Sequence, residues 1–224
     1  MHTLRQWLGI ELDETSWREK AVSLAGGFVA ILAVIGISGH ALGFDGAALL
    51  VGSMGASAVL LFGVPHGALS QPWPVLAGHT LSALIGVGCA RWISNRDLAA
   101  ACAVGLAIGV MHQCKCIHPP GGATALAAVM GGPAVRALGW SYVWRPVLLN
   151  AVSIVAVAVV FNSAFPWRRF PAHFARRRTV ADAPPALAHE DVVAALRSID
   201  SFIDITEDDL VRLVEILSPR PPAG

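Results

Sequence analysis

A long stretch of this chain is almost free of charge, and that feature limits its fold more than any other. Only six residues from Gly46 to Pro166 are charged, namely Arg91, Arg96, Asp97, Lys115, Arg136 and Arg145. Of all 224 residues, 55% are hydrophobic and 14% charged, whereas soluble domains carry about 25% charged residues. The pattern predicts an integral membrane protein. A net charge of +1 without a dense basic patch gives no reason to expect nucleic acid as a partner.

Six apolar segments follow one another along the chain. A helix that spans a bilayer needs roughly 17–25 mainly apolar residues. Four segments fit that length, at 21–38, 75–93, 98–114 and 146–162, whereas those at 47–62 and 121–130 are short. We therefore predict an all-α membrane protein with four full spans plus two short helices, or with six spans.

An internal repeat relates the two halves of the apolar region. GASAVLLFG at 55–63 aligns with GATALAAVMG at 122–131, with one extra residue in the second copy. The Pro-Val-Leu that begins at Pro74 aligns with the one that begins at Pro146. Each half therefore has the order long helix, short half-helix, long helix.

Basic residues flank the apolar segments, and cytoplasmic loops carry an excess of Lys and Arg. Arg5, Arg18 and Lys20 precede the first segment, Arg91 and Arg96 separate the third from the fourth, and five arginines follow the sixth. One arrangement puts all of them inside, with four crossing segments and two re-entrant ones. In the alternative, all six segments cross and the middle pair lies outside. Both give a multi-pass protein, which we place in the inner (plasma) membrane with cytoplasmic N- and C-termini.

Composition divides the chain into five predicted parts. They are an amphipathic cytoplasmic N-terminus at 1–20, the transmembrane domain at 21–165, a basic and proline-containing linker at 166–188, a soluble helical hairpin at 189–217 and a disordered tail at 218–224. The two hairpin helices cannot bury their apolar faces alone. They need another subunit, the membrane domain or a further domain, and we expect a homo-oligomer.

The sequence CIHPPGGATAL at 116–126 interrupts the apolar pattern. Pro119 and Pro120 end the preceding helix, and Gly121 and Gly122 let the backbone restart close to a neighbour. The new helix begins with free N–H groups at the positive end of its dipole, a combination that binds anions. In a membrane, such donors must face a partner or a water-filled cavity.

This break predicts an anion site. The predicted ligands are His118, Gly121, Gly122, Ala123 and Thr124 at the break, and Gly55, Ala56 and Ser57 at a second helix start in the first repeat. A side chain at Gly122 is expected to block close approach of the anion. Small residues at 55–57 also suit simple packing between membrane helices.

Histidines and one lysine are the ionisable candidates near the break. No Asp or Glu lies inside an apolar segment, although cation and proton carriers usually have membrane-embedded carboxylates. His79, His66 and Lys115 are candidates for a proton or anion relay, since histidine titrates near pH ~6.5. A lone membrane histidine such as His79 can instead simply bond a neighbouring helix.

A metal site is the rival interpretation of the same region. His112, Cys114, Cys116 and His118 alternate along HQCKCIH, and thiolate and imidazole suit zinc or Cu(I). The four share one side only if the stretch is extended, and the spacing is not that of a zinc finger. We expect no metal and no cofactor. No nucleophile–base pair or phosphate loop is present either, so we do not expect an enzyme.

The segment CIHPPGGATALAAVMGG resembles the HPP family of integral membrane proteins, named for His-Pro-Pro, here His118, Pro119 and Pro120. The likeness extends over SWREKAVSLAGG, LLVGSMGASAVLLFGVPHGALSQPWPVLAGHTLSALIGV and RPVLLNA, from about Ser16 to Phe165. The resemblance implies four membrane spans and, from some members, nitrite transport. Other members carry paired CBS domains, and HEDVVAALRSIDSFIDITEDDLVRLVEIL is similar to the linker that precedes those domains.

These features together predict a membrane transporter or channel for a small inorganic anion held at half-helix N-termini. Nitrite is the leading candidate. The expected partners are the anion, the lipid bilayer and further copies of the chain. The alternative function is a membrane sensor or scaffold that signals through its C-terminal helices.

Overall fold

The computed structural model describes residues 16–175, without the side chains of 38–50 and 174–175. Within that range the fold is helical, and the described residues form no strand. The all-α prediction is therefore confirmed. Most of the predicted N-terminal part, most of the basic linker, the C-terminal hairpin and the tail lie outside the described residues.

The described chain forms seven α-helices. They are α1 Trp17–Gly63, α2 Pro72–Trp92, α3 Arg96–Gln113, α4 Pro119–Met130, α5 Gly132–Leu138, α6 Leu149–Ser163 and α7 Ala172–Ala175. Two 3-10 helices, Ala68–Ser70 and Pro166–Arg168, and one π-helical turn, Val143–Leu148, lie between them.

Three stretches of the described chain are long and apolar enough to cross a membrane. They are Trp17–Ile37, Pro72–Trp92 and Val143–Ser163, each of 21 residues. Val51–Gly63 is apolar but shorter. Helix α4 has 12 residues and covers about 18 Å at 1.5 Å per residue, so it is a half-length helix as the sequence predicts.

Helix α1 has 47 residues, but its two halves fold back on each other. A side chain on Gly26 would collide with the ring of Phe62, whereas a straight helix would separate those residues by about 54 Å. The chain therefore reverses direction between Trp17–Ile37 and Val51–Gly63. These two halves correspond to the first and second apolar segments.

The next three helices also alternate in direction. Trp73, near the start of α2, donates from Nε1 to the carbonyl of Cys114 just after α3 (3.1 Å). Arg96, at the start of α3, donates from Nη2 to the carbonyl of Met130 at the end of α4 (3.0 Å). Helices α2 and α4 therefore run in the same direction, with α3 antiparallel to both.

The clusters of basic residues lie at opposite ends of this bundle. At one end Arg168 pairs with Glu19 and contacts the last turn of α1 through Phe62. Helix α2 begins after a short loop from that end and covers about 31 Å before it reaches Arg91 and Arg96. This separation of the basic clusters differs from the arrangement that puts all of them on one side. It is the separation expected if six segments alternate, although only three stretches of the described chain are long and apolar enough to span a membrane.

Two apolar clusters form the core of the described residues. The larger one joins α1, α2, the π-helical turn and α6, and the smaller one joins α2, α3 and α4. Helices α2 and α4 approach closely because small residues face each other. A Cβ on Gly86 would lie 2.5 Å from the carbonyl oxygen of Ala125, and such contacts are typical of membrane helices.

Candidate functional site

The predicted break at His-Pro-Pro is the N-terminus of α4. His118 caps the helix in an extended conformation (φ −143°, ψ 99°), and the two prolines occupy the first two helical positions. Proline has no N–H, so two of the donors that a helix start leaves free are missing here. The N–H of Gly121 donates to the carbonyl of His118 (2.8 Å). This predicted anion donor is therefore already bonded within the protein.

Side chains near this break form a buried hydrogen-bonded network. Ser57 Oγ lies 2.8 Å from His79 Nε2 and 2.9 Å from His118 Nε2. Thr124 Oγ1 lies 2.7 Å from His79 Nδ1 and 2.7 Å from Ser53 Oγ. We call these five side chains the histidine–hydroxyl network. Four of them are fully buried and Ser53 is 2% exposed.

The hydrogen-bond pattern assigns the protons of the network. His118 Nδ1 lies 2.9 Å from the carbonyl of Leu69, which can only accept, so this nitrogen carries a proton. In the neutral ring Nε2 then accepts from the hydroxyl of Ser57. His79 Nε2–H must donate to Ser57, which leaves its Nδ1 to accept from Thr124. The two neutral histidines therefore have opposite tautomers.

Three helices bring the network together. Ser53 and Ser57 are four residues apart on α1 and so share one face of the helix. His79 lies on α2, Thr124 lies on α4 and His118 caps α4. The sequence predicts four of these residues, namely His79, His118, Ser57 and Thr124. It does not predict Ser53 as a ligand, although the four-residue spacing to Ser57 is a signal for it.

Glycines hold α2 and α4 at the distance that the network requires. A Cβ on Gly78 would lie 2.7 Å from the Cβ of His118. One on Gly121 would lie 2.9 Å from both the carbonyl oxygen of Gly78 and Ser82 Oγ. Tyr142 supports the same region from the opposite side, since its hydroxyl donates to the carbonyl of Thr124 (3.2 Å).

Gly122 has a different environment from the one that the sequence suggested. A Cβ there would meet nothing closer than Val104 Cγ1 at 4.0 Å, so a side chain fits without blocking the network. Ala123 is exposed. The close approach predicted for Gly122 is instead made by Gly121, because Gly121 is on the face of α4 that packs against α2.

The second predicted helix start is absent from the described chain. Helix α1 continues through Gly55, Ala56 and Ser57, so their N–H groups lie inside a helix. Ala56 is exposed and a Cβ on Gly55 would meet nothing within 4 Å. This part of the chain reaches the other candidates only through the side chain of Ser57.

The remaining candidates lie away from the network. Lys115 is exposed, and His66 Nε2–H donates to the carbonyl of Arg169 (3.2 Å). His112 and Cys114 are exposed whereas Cys116 is buried, and no group of three or more His, Cys, Asp or Glu among the described residues could hold a metal ion. The structure therefore does not bring the four members of the alternative metal set together into one site.

Arg168 forms a second buried polar cluster, which the sequence does not predict. Its Nη1 donates to Glu19 and to Ser23 Oγ (2.9 Å), and its Nη2 donates to the carbonyl of Phe62 (2.6 Å). Its Nε donates to Asn162 Oδ1 (3.2 Å). Burial lowers the pKa of Arg168, and Glu19 opposes that shift. We call these residues the Arg168 cluster.

A surface cavity of about 430 Å³ lies beside the Arg168 cluster. Its walls are Ser16, Glu19, the loop 63–67, Trp167 and Arg168. The same loop continues to Leu69, whose carbonyl accepts from His118. The cavity is therefore at the end of the bundle where α4 begins.

The apolar spans and the alternating helices define the protein as an integral all-α membrane protein. The HPP transmembrane-region family matches residues 12–171. The chain belongs to this family, as its His-Pro-Pro sequence suggested.

Two relatives from Dictyostelium discoideum are each named only as transmembrane proteins. The chain is 39% identical to the first over 130 residues, which cover 56% of this chain and 45% of that protein. It is 40% identical to the second over 126 residues, which cover 54% and 40% respectively. The chain thus spans less than half of the length of these curated relatives. No solved structure matches it.

Proposed function

We propose that this chain is a transporter or channel for a small inorganic anion, with nitrite as the leading candidate, and that the histidine–hydroxyl network is its site. We place it in the plasma membrane with both termini cytoplasmic, and we propose no covalent step. The observation that carries the proposal is the convergence of two histidines and three hydroxyls, all buried, inside a membrane domain. Polar groups at such positions are costly in a membrane and usually functional.

The chemistry of the network favours an anion over a cation. Hydroxyl and imidazole N–H groups can donate, and the network includes no carboxylate that would attract a metal ion or an organic cation. All six charged residues between Gly46 and Pro166 are exposed. A small anion therefore finds donors without a fixed positive charge that would retain it. Weak binding of this kind suits passage, since a permeant ion must also leave its site.

Ser57 is the residue at which an anion would enter the network. Its single hydroxyl lies between both imidazoles, so an anion that takes its place would face two ring nitrogens at once. Nitrite has two oxygen atoms that can accept these bonds. The cavity beside Arg168 supports an approach from that end, because the loop that forms its wall also bonds His118.

Nitrite uptake by proteoliposomes tests this function. We expect nitrite uptake above that of empty liposomes. Nitrate, formate and chloride are added as competitors, and an anion that uses the same site should reduce the uptake of nitrite. Ser57→Ala should lower uptake at least about tenfold, the effect of about 1.4 kcal/mol. Thr80→Ala is the matched control, because the Thr80 hydroxyl bonds only the carbonyl of Leu76 on its own helix (2.7 Å). Uptake equal to empty liposomes for every anion would contradict the proposal.

A further inference from the structure

The hydrogen bonds of Ser57 determine which atoms of the neutral network carry protons. One hydroxyl donates one proton, yet Ser57 faces Nε2 of both His79 and His118. One of these two nitrogens must therefore donate to it. The carbonyl of Leu69 settles which one does so in the neutral network, since it requires the proton of His118 on Nδ1.

A second complete arrangement exists with one more proton. An added proton on His118 Nε2 makes that nitrogen a donor to Ser57. The Ser57 hydroxyl then turns to His79 Nε2, and the proton of His79 moves to Nδ1, where it donates to Thr124. The hydroxyl of Thr124 turns to the carbonyl of Pro120 (3.4 Å). Every group keeps a partner, so the network can hold one extra proton without losing a hydrogen bond.

The protonated network has no counter-ion among the described side chains. Of the three carboxylates in residues 16–175, Glu19 is paired at the end of the bundle, Asp97 is exposed, and Asp45 lies in the stretch whose side chains are not described. The titratable side chains on the surrounding elements are thiols, a phenol, two imidazoles and an amine: Tyr142, Cys89, Cys102, Cys114, Cys116, His112, His66 and Lys115. None of them supplies a buried negative charge near neutral pH.

A buried positive charge without a partner is strongly unfavourable, and the start of α4 beside His118 adds the positive end of a helix dipole. An anion removes both penalties. We propose that the network takes up one proton together with each anion, so that the transport cycle is electroneutral proton–anion symport. This inference rests on the proposed function and adds the proton as a second substrate.

Proteoliposomes with a pH-sensitive dye inside separate this mechanism from simple anion permeation. An inward proton gradient of one pH unit should raise nitrite accumulation about tenfold over the external concentration, and the lumen should acidify with nitrite entry. A potential imposed with potassium and valinomycin should leave the initial rate unchanged. Empty liposomes correct for undissociated nitrous acid that crosses the lipid.

Each outcome decides between the two proposals. Uptake that follows the imposed potential and ignores the proton gradient would overturn the symport and leave anion transport standing. Uptake of no anion would overturn both. His118→Gln should abolish accumulation driven by the proton gradient, whereas His112→Gln, an exposed control, should keep it. Gradient-driven accumulation that survives in His118→Gln would also contradict the inference.

Discussion

The part of the chain that the structure describes has two buried polar clusters, and they differ in how their charge is balanced. The Arg168 cluster contains a permanent cation that is 1% exposed and bonded to a carboxylate, a hydroxyl, an amide and a backbone carbonyl. The histidine–hydroxyl network is equally buried but contains only groups that can be neutral. The first lies at one end of the bundle, and the second lies between α1, α2 and α4.

Under the proposed function, this difference separates a structural role for the Arg168 cluster from a functional role for the network. Arg168 is held by a counter-ion and joins residues from the start of α1, the end of its second half and the end of α6, so its bonds fix the fold. The network has no counter-ion among the described side chains, and the proposed symport uses its two proton arrangements. A buried charged group whose charge is balanced by a bonded counter-ion indicates a structural role. A buried ionisable group without such a partner indicates a site where a proton or an ion can bind.

The largest effect on stability is expected from Arg168→Met. It removes four hydrogen bonds and leaves Glu19 with a hydrogen bond from Trp167 but without its cationic partner. Breaking a buried ion pair costs 3–5 kcal/mol, and we expect about 3 kcal/mol because Glu19 is 21% exposed. The measurement is the free energy of unfolding in detergent.

Arg169→Met is the control for this prediction, because Arg169 is adjacent and exposed. It should change the unfolding free energy by less than about 0.5 kcal/mol. Equal stability of the two variants would show that the Arg168 cluster does not hold the helix ends together.

A smaller effect on stability is expected from Gly121→Ala. This variant tests whether the close packing of α4 against α2 holds the histidine–hydroxyl network in place. The new Cβ would lie 2.9 Å from the carbonyl oxygen of Gly78 and from Ser82 Oγ, and overpacking of this kind costs about 1–3 kcal/mol. Because Gly78 contacts His118, nitrite flux should also fall. Gly122→Ala has room and should match wild type in both measurements. A stable, fully active Gly121→Ala variant would contradict the account.

The smallest effect is expected from Ser53→Ala, at the edge of the network. Ser53 donates to Thr124, while Thr124 keeps its own bond to His79. The loss of one hydrogen bond costs about 1 kcal/mol, and flux should fall less than in Ser57→Ala. A flux defect in Ser53→Ala equal to that of Ser57→Ala would show that the two hydroxyls act as one unit and that Ser57 has no special position.

The sequence was enough to predict the helical membrane fold, the half-length α4 and most of the network. Proline pairs and apolar periodicity determine structure through residues that are close in the sequence. The position of His118 at a helix start can therefore be predicted from the residues beside it. A histidine inside an apolar segment is costly in a membrane and usually functional, which is why the sequence alone indicates His79 as a site residue. The HPP sequence also identified the family, which the match over residues 12–171 confirms.

Other features depend on contacts between distant residues, and local patterns do not contain them. Arg168 resembled a residue of a basic flank because its partner Glu19 is 149 positions away. Gly121 and Gly122 look alike in the sequence, and only the rotation of α4 against α2 decides which one is tightly packed. The position of Arg91 and Arg96 at the other end of the bundle likewise depends on the direction of α2, which a count of basic residues does not contain.

Nitrogen-15 NMR of the histidine rings, in lipid and near neutral pH, tests the central claim most directly. His79→Gln and His118→Gln would assign the two buried signals. The account predicts two neutral rings without anion, with the proton on Nδ1 of His118 and on Nε2 of His79, and one doubly protonated ring after nitrite is added. A charged ring in the absence of any anion, or two neutral rings that do not respond to nitrite, would contradict it.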